Sequence, residues 1–273
     1  MADPPDEAAG VTRAAVLGSP ISHSLSPALH RAAYAALGLD WTYDAIDVDA
    51  DELAGFLEGL DGRWAGLSLT MPLKQVVIPL LTDVDAMARS VGSVNTLLPS
   101  AGGWRGTNTD IVGIAEALTR AGLARDAGTA TLLGAGATAR SAVAALAGLG
   151  VAQVTVCARR PEPAEDVAEF ASRQGMSATT SDLEPDRGLV RADVVVSTLP
   201  GDAGAPWAAM VERATGVLLD ASYHPWPSPL AAAWVQGSVA SGRDMLLWQA
   251  VEQVRLMTGL TPPVDRMLAA LPD

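Results

Sequence analysis

Lysine is almost missing from this 273-residue chain: Lys74 stands alone against 17 arginines. A GC-rich coding bias accounts for the arginines. The one lysine is either a chance survivor or a position where arginine cannot do the work. Cysteine is also single, at Cys157, which excludes an intrachain disulfide and fits a reducing, cytoplasmic compartment. The three histidines, His23, His30 and His224, lack metal-ligand spacing and have no cysteine partners, so no metal is expected. Positive charge is in deficit, with a net charge of −13, and nucleic acid is excluded as a partner because phosphate binding needs a basic surface. The start, "MADPPDEAAG", has neither the basic region nor the apolar core of a signal peptide; residues 1–10 read as a disordered tail. A membrane span is not expected either. The most apolar stretch, "TLLGAGATARSAVAALAGLGVAQVTVCA", is interrupted by Arg140 and punctuated by glycines, and its pattern passes from strand to helix to strand.

What is present is a globular composition, 49% hydrophobic and 18% charged, at a length where one core tends to split into two. The first part alternates strand and helix. "AAVLG" is a strand, and "SPALHRAAYAALGL" a helix with Ser26 as N-cap and Pro27 in the first turn. "WTYDAIDV" is a strand, "DADELAGFLEGL" an amphipathic helix and "WAGLSLT" a third strand. "SVNTLLPS" and "GWRGTN" flank an "AGG" turn, and a helix starts at Asp110. From residue 129 short apolar runs alternate strictly with helices, the pattern of a parallel sheet covered on both faces. The tail is helical. Boundaries are expected near residues 110 and 243. The fold class is α/β with two domains.

Four motifs carry chemistry. "LLGAGATAR" matches G-x-G-x-x-A with Gly134, Gly136 and Ala139, between a strand and a helix that leads to another strand. There the residues Gly134, Ala135, Gly136, Ala137, Thr138 and Ala139 would bring backbone and helix N-terminus up to a pyrophosphate. The next strand ends in Ala158, Arg159 and Arg160, where an NAD site carries an acid. Two guanidiniums grip a 2′-phosphate by charge and paired hydrogen bonds, so NADP is the expected cofactor. "SLTMPLK" gathers Ser68, Thr70 and Lys74 around a strand end. A lysine that is desolvated can give up a proton near neutral pH, as arginine cannot, and a surface lysine at a helix start explains Lys74 equally well by position. In "NTLLP…RGTNTD", with Asn95, Asn108 and Asp110, the aspartate stands where an N-cap belongs, and capping alone would account for it.

In this order "GSPISHSLSP", "SLTMPLK", "SVNTL", "NTD" and "GAGATAR", with "DASYHPWPSPL" and "DMLLWQA" after them, resemble the shikimate dehydrogenase family from about Val11 to the end. The resemblance implies an N-terminal α/β substrate domain over 11–109, completed by C-terminal helices over 244–273, and an NADP-binding Rossmann domain over 110–243. It implies Lys74 and Asp110 as the catalytic pair. Ser24 and Ser26 would hold a carboxylate, and Thr70 and Asn95 the ring hydroxyls. By the same resemblance Gln249 would reach in from the C-terminal helix, and Tyr223 would line the substrate cleft. Arg159, with Arg160 beside it, meets the 2′-phosphate, and Thr198 joins the cofactor-binding set. The hydroxyl-rich turn after the first strand then makes sense as an anion site at a helix N-terminus. Two positions depart from the common pattern, Ser68 and Ala158, where many members have Asn; Ser68 would make a shorter or water-mediated ring contact.

The activity implied is the reversible NADPH-dependent reduction of 3-dehydroshikimate to shikimate, in chorismate and aromatic amino acid biosynthesis, by a monomer or homodimer with a small-molecule substrate. Quinate or aminoshikimate dehydrogenase is the alternative within the superfamily. A methylene-folate dehydrogenase should show a Tyr-x-x-x-Lys helix, which is absent. A non-catalytic NADP-binding regulator would have no need of Lys74 and Asp110.

Overall fold

The computed structural model describes residues 11–222 and 224–272; the expected tail over 1–10 lies outside them. In chain order the elements are β1 (Thr12–Gly18), α1 (Ser26–Leu37), β2 (Trp41–Asp47), α2 (Leu53–Glu58), β3 (Trp64–Leu69), α3 (Leu73–Val76), β4 (Asp83–Val84), α4 (Ala86–Val91), β5 (Thr96–Ser100), β6 (Gly103–Thr107) and α5 (Asp110–Arg120). There follow β7 (Thr129–Leu133), α6 (Ala137–Gly148), β8 (Gln153–Ala158), α7 (Pro161–Arg173), β9 (Ser177–Asp182), β10 (Val194–Ser197), α8 (Ala205–Ala208), β11 (Val217–Asp220), α9 (Pro229–Ala233), β12 (Ser238–Ser241), α10 (Gly242–Thr258) and α11 (Val264–Leu268). They fall into two compact units. Residues up to Asp85, Val94–Thr107 and Gln253 onward form one; Ala86–Ser93 and Asn108–Glu252 form the other. The second division thus falls inside α10, later than the sequence boundary near 243, and α4 groups with the second unit.

In the first unit the sheet order is β2-β1-β3-β5-β6-β4. β1 runs parallel to both β2 and β3, while β5 is antiparallel to β3 and to β6. The central strand β1 is buried along Ala14–Gly18 in the unbroken manner of a strand covered on both faces. Helix α1 buries Ser26, Leu29, His30, Ala33 and Tyr34, the i, i+3, i+4, i+7, i+8 stripe of a core-facing helix. It ends where Gly38 takes φ 69° and its amide donates to the Ala35 carbonyl. Its start differs from expectation: the N-cap is Leu25 and Ser26 is the first helical residue, with Ser24 Oγ accepting from the Ser26 amide at 3.3 Å.

The second unit holds a six-stranded sheet in which every pairing is parallel, ordered β9-β8-β7-β10-β11-β12. In order of appearance this is 3-2-1-4-5-6, the doubly wound dinucleotide-binding arrangement, whose ligand crevice lies where the order reverses, between β7 and β10. Alternate residues face opposite layers. Leu132, Val156, Val194, Val196 and Leu219 pack with residues of α5, α6 and α7; Leu133, Cys157, Val195 and Leu218 pack with Trp207, Leu230 and Trp234 on the other side. Burial pushes the Cys157 thiol up to about 12, which leaves it a core residue. Asp110 is the first residue of α5, one place inside the helix, and Thr109 is the N-cap. Among the described residues no helix is long and apolar enough to cross a membrane.

Candidate active site

Gly18 sets the geometry of the first unit's half of the site. A Cβ at that position would collide with Thr70 Cγ2 and lie 2.8 Å from the Met71 carbonyl oxygen, so glycine is what allows the turn after β3 to close on the end of β1. The Thr70 amide donates to the Leu17 carbonyl at 2.9 Å and the Ser19 amide to the Met71 carbonyl at 3.1 Å. The "GSPISHSLSP" loop, with Ser24 and Ser26, is therefore fastened beside "SLTMPLK". A second pair of backbone bonds adds Asn95: the Val94 amide donates to the Lys74 carbonyl at 2.8 Å, and the Leu69 amide to the Asn95 carbonyl at 2.8 Å. Five sequence-predicted residues, Ser24, Ser26, Thr70, Lys74 and Asn95, are thus gathered at one end of the parallel strands, where α/β sheets bind ligands. Asn95 is 1% exposed and Ser26 5%, so both are held by their surroundings.

Ser68 differs from the others. It is buried, its hydroxyl accepts from the Tyr43 hydroxyl at 2.6 Å, and its one proton goes to Gln253 Oε1 at 3.0 Å. A serine whose proton is committed internally supports the wall of a site instead of offering a donor to a ligand. Tyr43, Thr96 and Gln253 are polar groups that sequence reasoning passes over. Gln253 leaves one signal: it sits four residues after Gln249, on the same helix face, in "LLWQAVEQV".

In the second unit Asp110 is 1% exposed at the start of α5. One turn on, Gly113 lies so close to α10 that a Cβ there would come within 2.7 Å of the Met245 carbonyl and 3.1 Å of Gln249 Cβ. Asp110 and Gln249 are brought onto neighbouring turns of two touching helices. Asn108 Nδ2 donates to the Ser93 carbonyl at 2.8 Å and to Ser141 Oγ at 3.3 Å, which ties the entry to α5 down to α6.

The glycine-rich turn occupies the switch point. Gly134 has φ 102°, and a Cβ on it would stand 2.5 Å from Thr198 Oγ1 at the end of β10. The Thr198 amide and hydroxyl both donate to the Leu133 carbonyl, at 2.8 and 3.1 Å. Gly136 is exposed, with open space where its Cβ would be, and it caps the twelve-residue α6. Ala139 is fully buried in the α6 packing. Ala135, Ala137 and Thr138 complete the turn and remain accessible in part. Arg159 and Arg160 follow β8 and are both exposed, with no acid at the strand end. A tight turn, an open glycine at a helix N-terminus and two solvent-facing guanidiniums are the donor set that a dinucleotide with a 2′-phosphate requires. Tyr223 lies outside the described residues. Just before it the Ser222 amide donates to Asp220 at 3.1 Å, and Ser228 Oγ also donates to that carboxylate. Burial raises the Asp220 carboxyl above the usual range, and these bonds oppose the rise.

Fold and site together define a Rossmann-type dinucleotide-binding α/β protein with a second α/β unit that carries a lysine- and serine-lined loop cluster. Residues 16–97 match the shikimate dehydrogenase substrate binding domain, 116–215 the shikimate / quinate 5-dehydrogenase family, and 242–271 the shikimate 5'-dehydrogenase C-terminal domain. The shikimate dehydrogenase (NADP(+)) of Citrifermentans bemidjiense is 36% identical over 272 residues, covering 94% of this chain and 93% of that protein. Among solved structures, Mycobacterium tuberculosis shikimate dehydrogenase is 44% identical with a TM-score of 0.89, covering 95% of this chain and 98% of that one. The Thermus thermophilus shikimate 5-dehydrogenase, solved with NADP(H) and shikimate, is 32% identical with a TM-score of 0.84 and the same coverage of 95% and 98%. The chain belongs to the shikimate dehydrogenase family.

Proposed function

We propose that this protein is a shikimate dehydrogenase, an NADP-dependent oxidoreductase that interconverts 3-dehydroshikimate and shikimate in the reducing setting of the cytoplasm. The dinucleotide, when bound, supplies the hydride that reduces the C3 carbonyl. Lys74 donates the proton that the developing C3 alkoxide needs, and in the reverse direction takes it back. Asp110 orients the Lys74 ammonium and accepts a hydrogen bond from a ring hydroxyl. Ser24 and Ser26 hold the substrate carboxylate, Thr70 and Asn95 bind ring hydroxyls, and Gln249 and Tyr223 close the ring site. Gly134 to Ala139 and Thr198 cradle the pyrophosphate, while Arg159 and Arg160 hold the 2′-phosphate.

The observation that carries this reading is the fastening of the chain's only lysine beside Asn95, through the Val94-to-Lys74 backbone bond, on the loop that Gly18 holds against the serine turn. An anion site, a ring-hydroxyl ligand and a proton donor on adjoining loops suit a small hydroxylated carboxylic acid. The test is a spectrophotometric assay of shikimate and quinate, each with NADP and NAD. Turnover is expected with shikimate and NADP; a preference for quinate with NAD would replace this reading by the superfamily alternative.

A further inference from the structure

A buried line of side chains runs behind Asn95. The Tyr43 hydroxyl donates to Ser68 Oγ at 2.6 Å, and Ser68 Oγ donates to Gln253 Oε1 at 3.0 Å. Gln253 Nε2 donates to Thr96 Oγ1 at 3.0 Å and to the Asn95 carbonyl at 3.4 Å, and Thr96 Oγ1 donates to Asn95 Oδ1 at 2.9 Å. Every member is at most 3% exposed, so no solvent competes for these bonds. At the far end His30 stacks on Tyr43 with ring centroids 3.9 Å apart, and its Nδ1 is hydrogen-bonded to the Ser26 carbonyl at 2.9 Å.

The line has one consistent direction. Thr96 has a single proton. Because its oxygen receives Gln253 Nε2–H, that proton goes to Asn95 Oδ1, and the Asn95 amide must turn its oxygen inward. With the Asn95 amide flipped, two NH groups would converge on Thr96 Oγ1 and the bond from the Thr96 hydroxyl to Asn95 Oδ1 would be lost. The same accounting fixes Gln253: its Oε1 faces the Ser68 proton, so its NH₂ must face Thr96. A glutamine is the residue that connects a hydroxyl donor on β3 to a hydroxyl acceptor on β5, since it accepts at one end and donates at the other.

We infer that Gln253 is a positioning residue for substrate: acting through Thr96, it locks the Asn95 carboxamide with Oδ1 held inward and Nδ2 as the donor edge for a ring hydroxyl. The inference rests on the reading above in which Asn95 binds the substrate ring. It also gives Ser68 a role, as the group that orients Gln253. The opposite end of the line meets the His30 ring, which is bonded to the Ser26 carbonyl, so the two ends of the proposed small-molecule site rest on one buried scaffold.

The experiment compares Gln253→Met, Thr96→Val, Asn95→Ala and the double variant Asn95→Ala/Gln253→Met in the full-length protein, with KM for shikimate, KM for NADP, kcat and melting temperature for each. Gln253→Met keeps the length and packing of the side chain and removes both hydrogen-bonding ends. It is expected to raise KM for shikimate about three- to tenfold, the effect of one lost or misdirected hydrogen bond, with KM for NADP unchanged. Thr96→Val, nearly isosteric, should reproduce this and serves in its place if Gln253→Met does not fold. In the Asn95→Ala background the Gln253 substitution should add nothing, because the group it positions is gone. A merely structural role would lower the melting temperature and leave the two effects additive. A large Asn95→Ala defect with normal shikimate KM in Gln253→Met and Thr96→Val overturns the positioning role alone. An Asn95→Ala variant with normal shikimate KM overturns it together with the assignment of Asn95.

Discussion

The two units approach their ligand sites in opposite ways. In the first, the site is backed by buried side chains whose protons are assigned one by one: Tyr43, Ser68, Gln253, Thr96 and Asn95. In the second, the cofactor turn is made of backbone. Gly134 and Gly136 contribute shape, the start of α6 contributes amides, and two exposed guanidiniums, Arg159 and Arg160, stand after β8. The difference matches what has to be recognised. A small polyhydroxylated ring offers few atoms, and selectivity among similar rings needs donors and acceptors fixed in direction, which burial provides. A dinucleotide offers a long charged backbone that helix amides and glycine clearance can take without directional side chains, leaving one feature, the 2′-phosphate, to be read by charge.

The sharpest way to break this comparison is at the lone lysine. If the first unit works through directional protons, a charge of the right sign in the wrong shape should fail. Lys74→Arg is expected to lower kcat by about 10²–10⁴, the range for losing a general acid, since a guanidinium is a poor proton donor near neutrality. KM for NADP should hardly change, and the melting temperature should stay close to that of the parent protein. An arginine variant keeping more than about a tenth of the parent kcat would contradict the proton-donor role and leave electrostatic positioning as the account of Lys74.

A smaller pair of effects should dissociate the two units. Arg159→Ala is expected to raise KM for NADP by about 1.5–3 kcal/mol equivalent, the worth of a hydrogen bond to a charged group, and to leave NAD and shikimate nearly untouched. Ser24→Ala and Ser26→Ala should each weaken shikimate by a similar amount, roughly 1.5–3 kcal/mol, and spare NADP. Calorimetric titration with each ligand reads both halves. Equal losses for NADP and NAD in the arginine variant would refute the 2′-phosphate assignment. Intact shikimate affinity in both serine variants would refute the carboxylate site.

The same contrast governs what the sequence reveals. The dinucleotide turn is legible because its requirements are local: glycine, glycine and a small residue within six positions, bracketed by strand and helix. The alternation of buried residues that splits β7, β8, β10 and β11 between two layers is legible for the same reason. The proposed site of the first unit is scattered over Ser24, Thr70, Lys74 and Asn95, and only the family resemblance joins these in the sequence; the backbone bonds that gather them span up to about fifty residues and have no local signature. Gln253 is more distant still, reaching β3 and β5 from the last long helix. The helix starts at Ser26 and Asp110 differ by one residue from the capping pattern, because the residues before them, Leu25 and Thr109, already take helical dihedrals and extend the start by one place. Ser68 reads as a ring ligand by position on its motif; its committed proton is visible only in three dimensions.

A further effect concerns acid and the packing behind the serine turn. His30 is fully buried, and its Nδ1 is hydrogen-bonded to the Ser26 carbonyl at 2.9 Å, while Nε2 is buried without a partner among the described residues. Its ring neighbours are the uncharged Tyr43, stacked at 3.9 Å, and Tyr34, edge-on at 6.1 Å. A second ring proton would therefore be desolvated without an acceptor, and burial lowers the imidazole to about 4 from its usual 6.5, against a smaller opposing effect of the Ser26 bond. The unfolded chain binds this proton from about pH 6.5 downward and the folded chain only below about 4. Between those values the unfolded state holds more protons, so stability rises with pH in the window and is lost as pH falls through it. The loss should reach about 2 kcal/mol by pH 5. Thermal unfolding followed from pH 7 to 4.5 should show a steeper acid loss for the parent protein than for His30→Phe, which keeps an aromatic ring against Tyr43 and removes the titrating group. Equal pH slopes of stability in the two proteins would mean that the acid sensitivity of the first unit lies elsewhere.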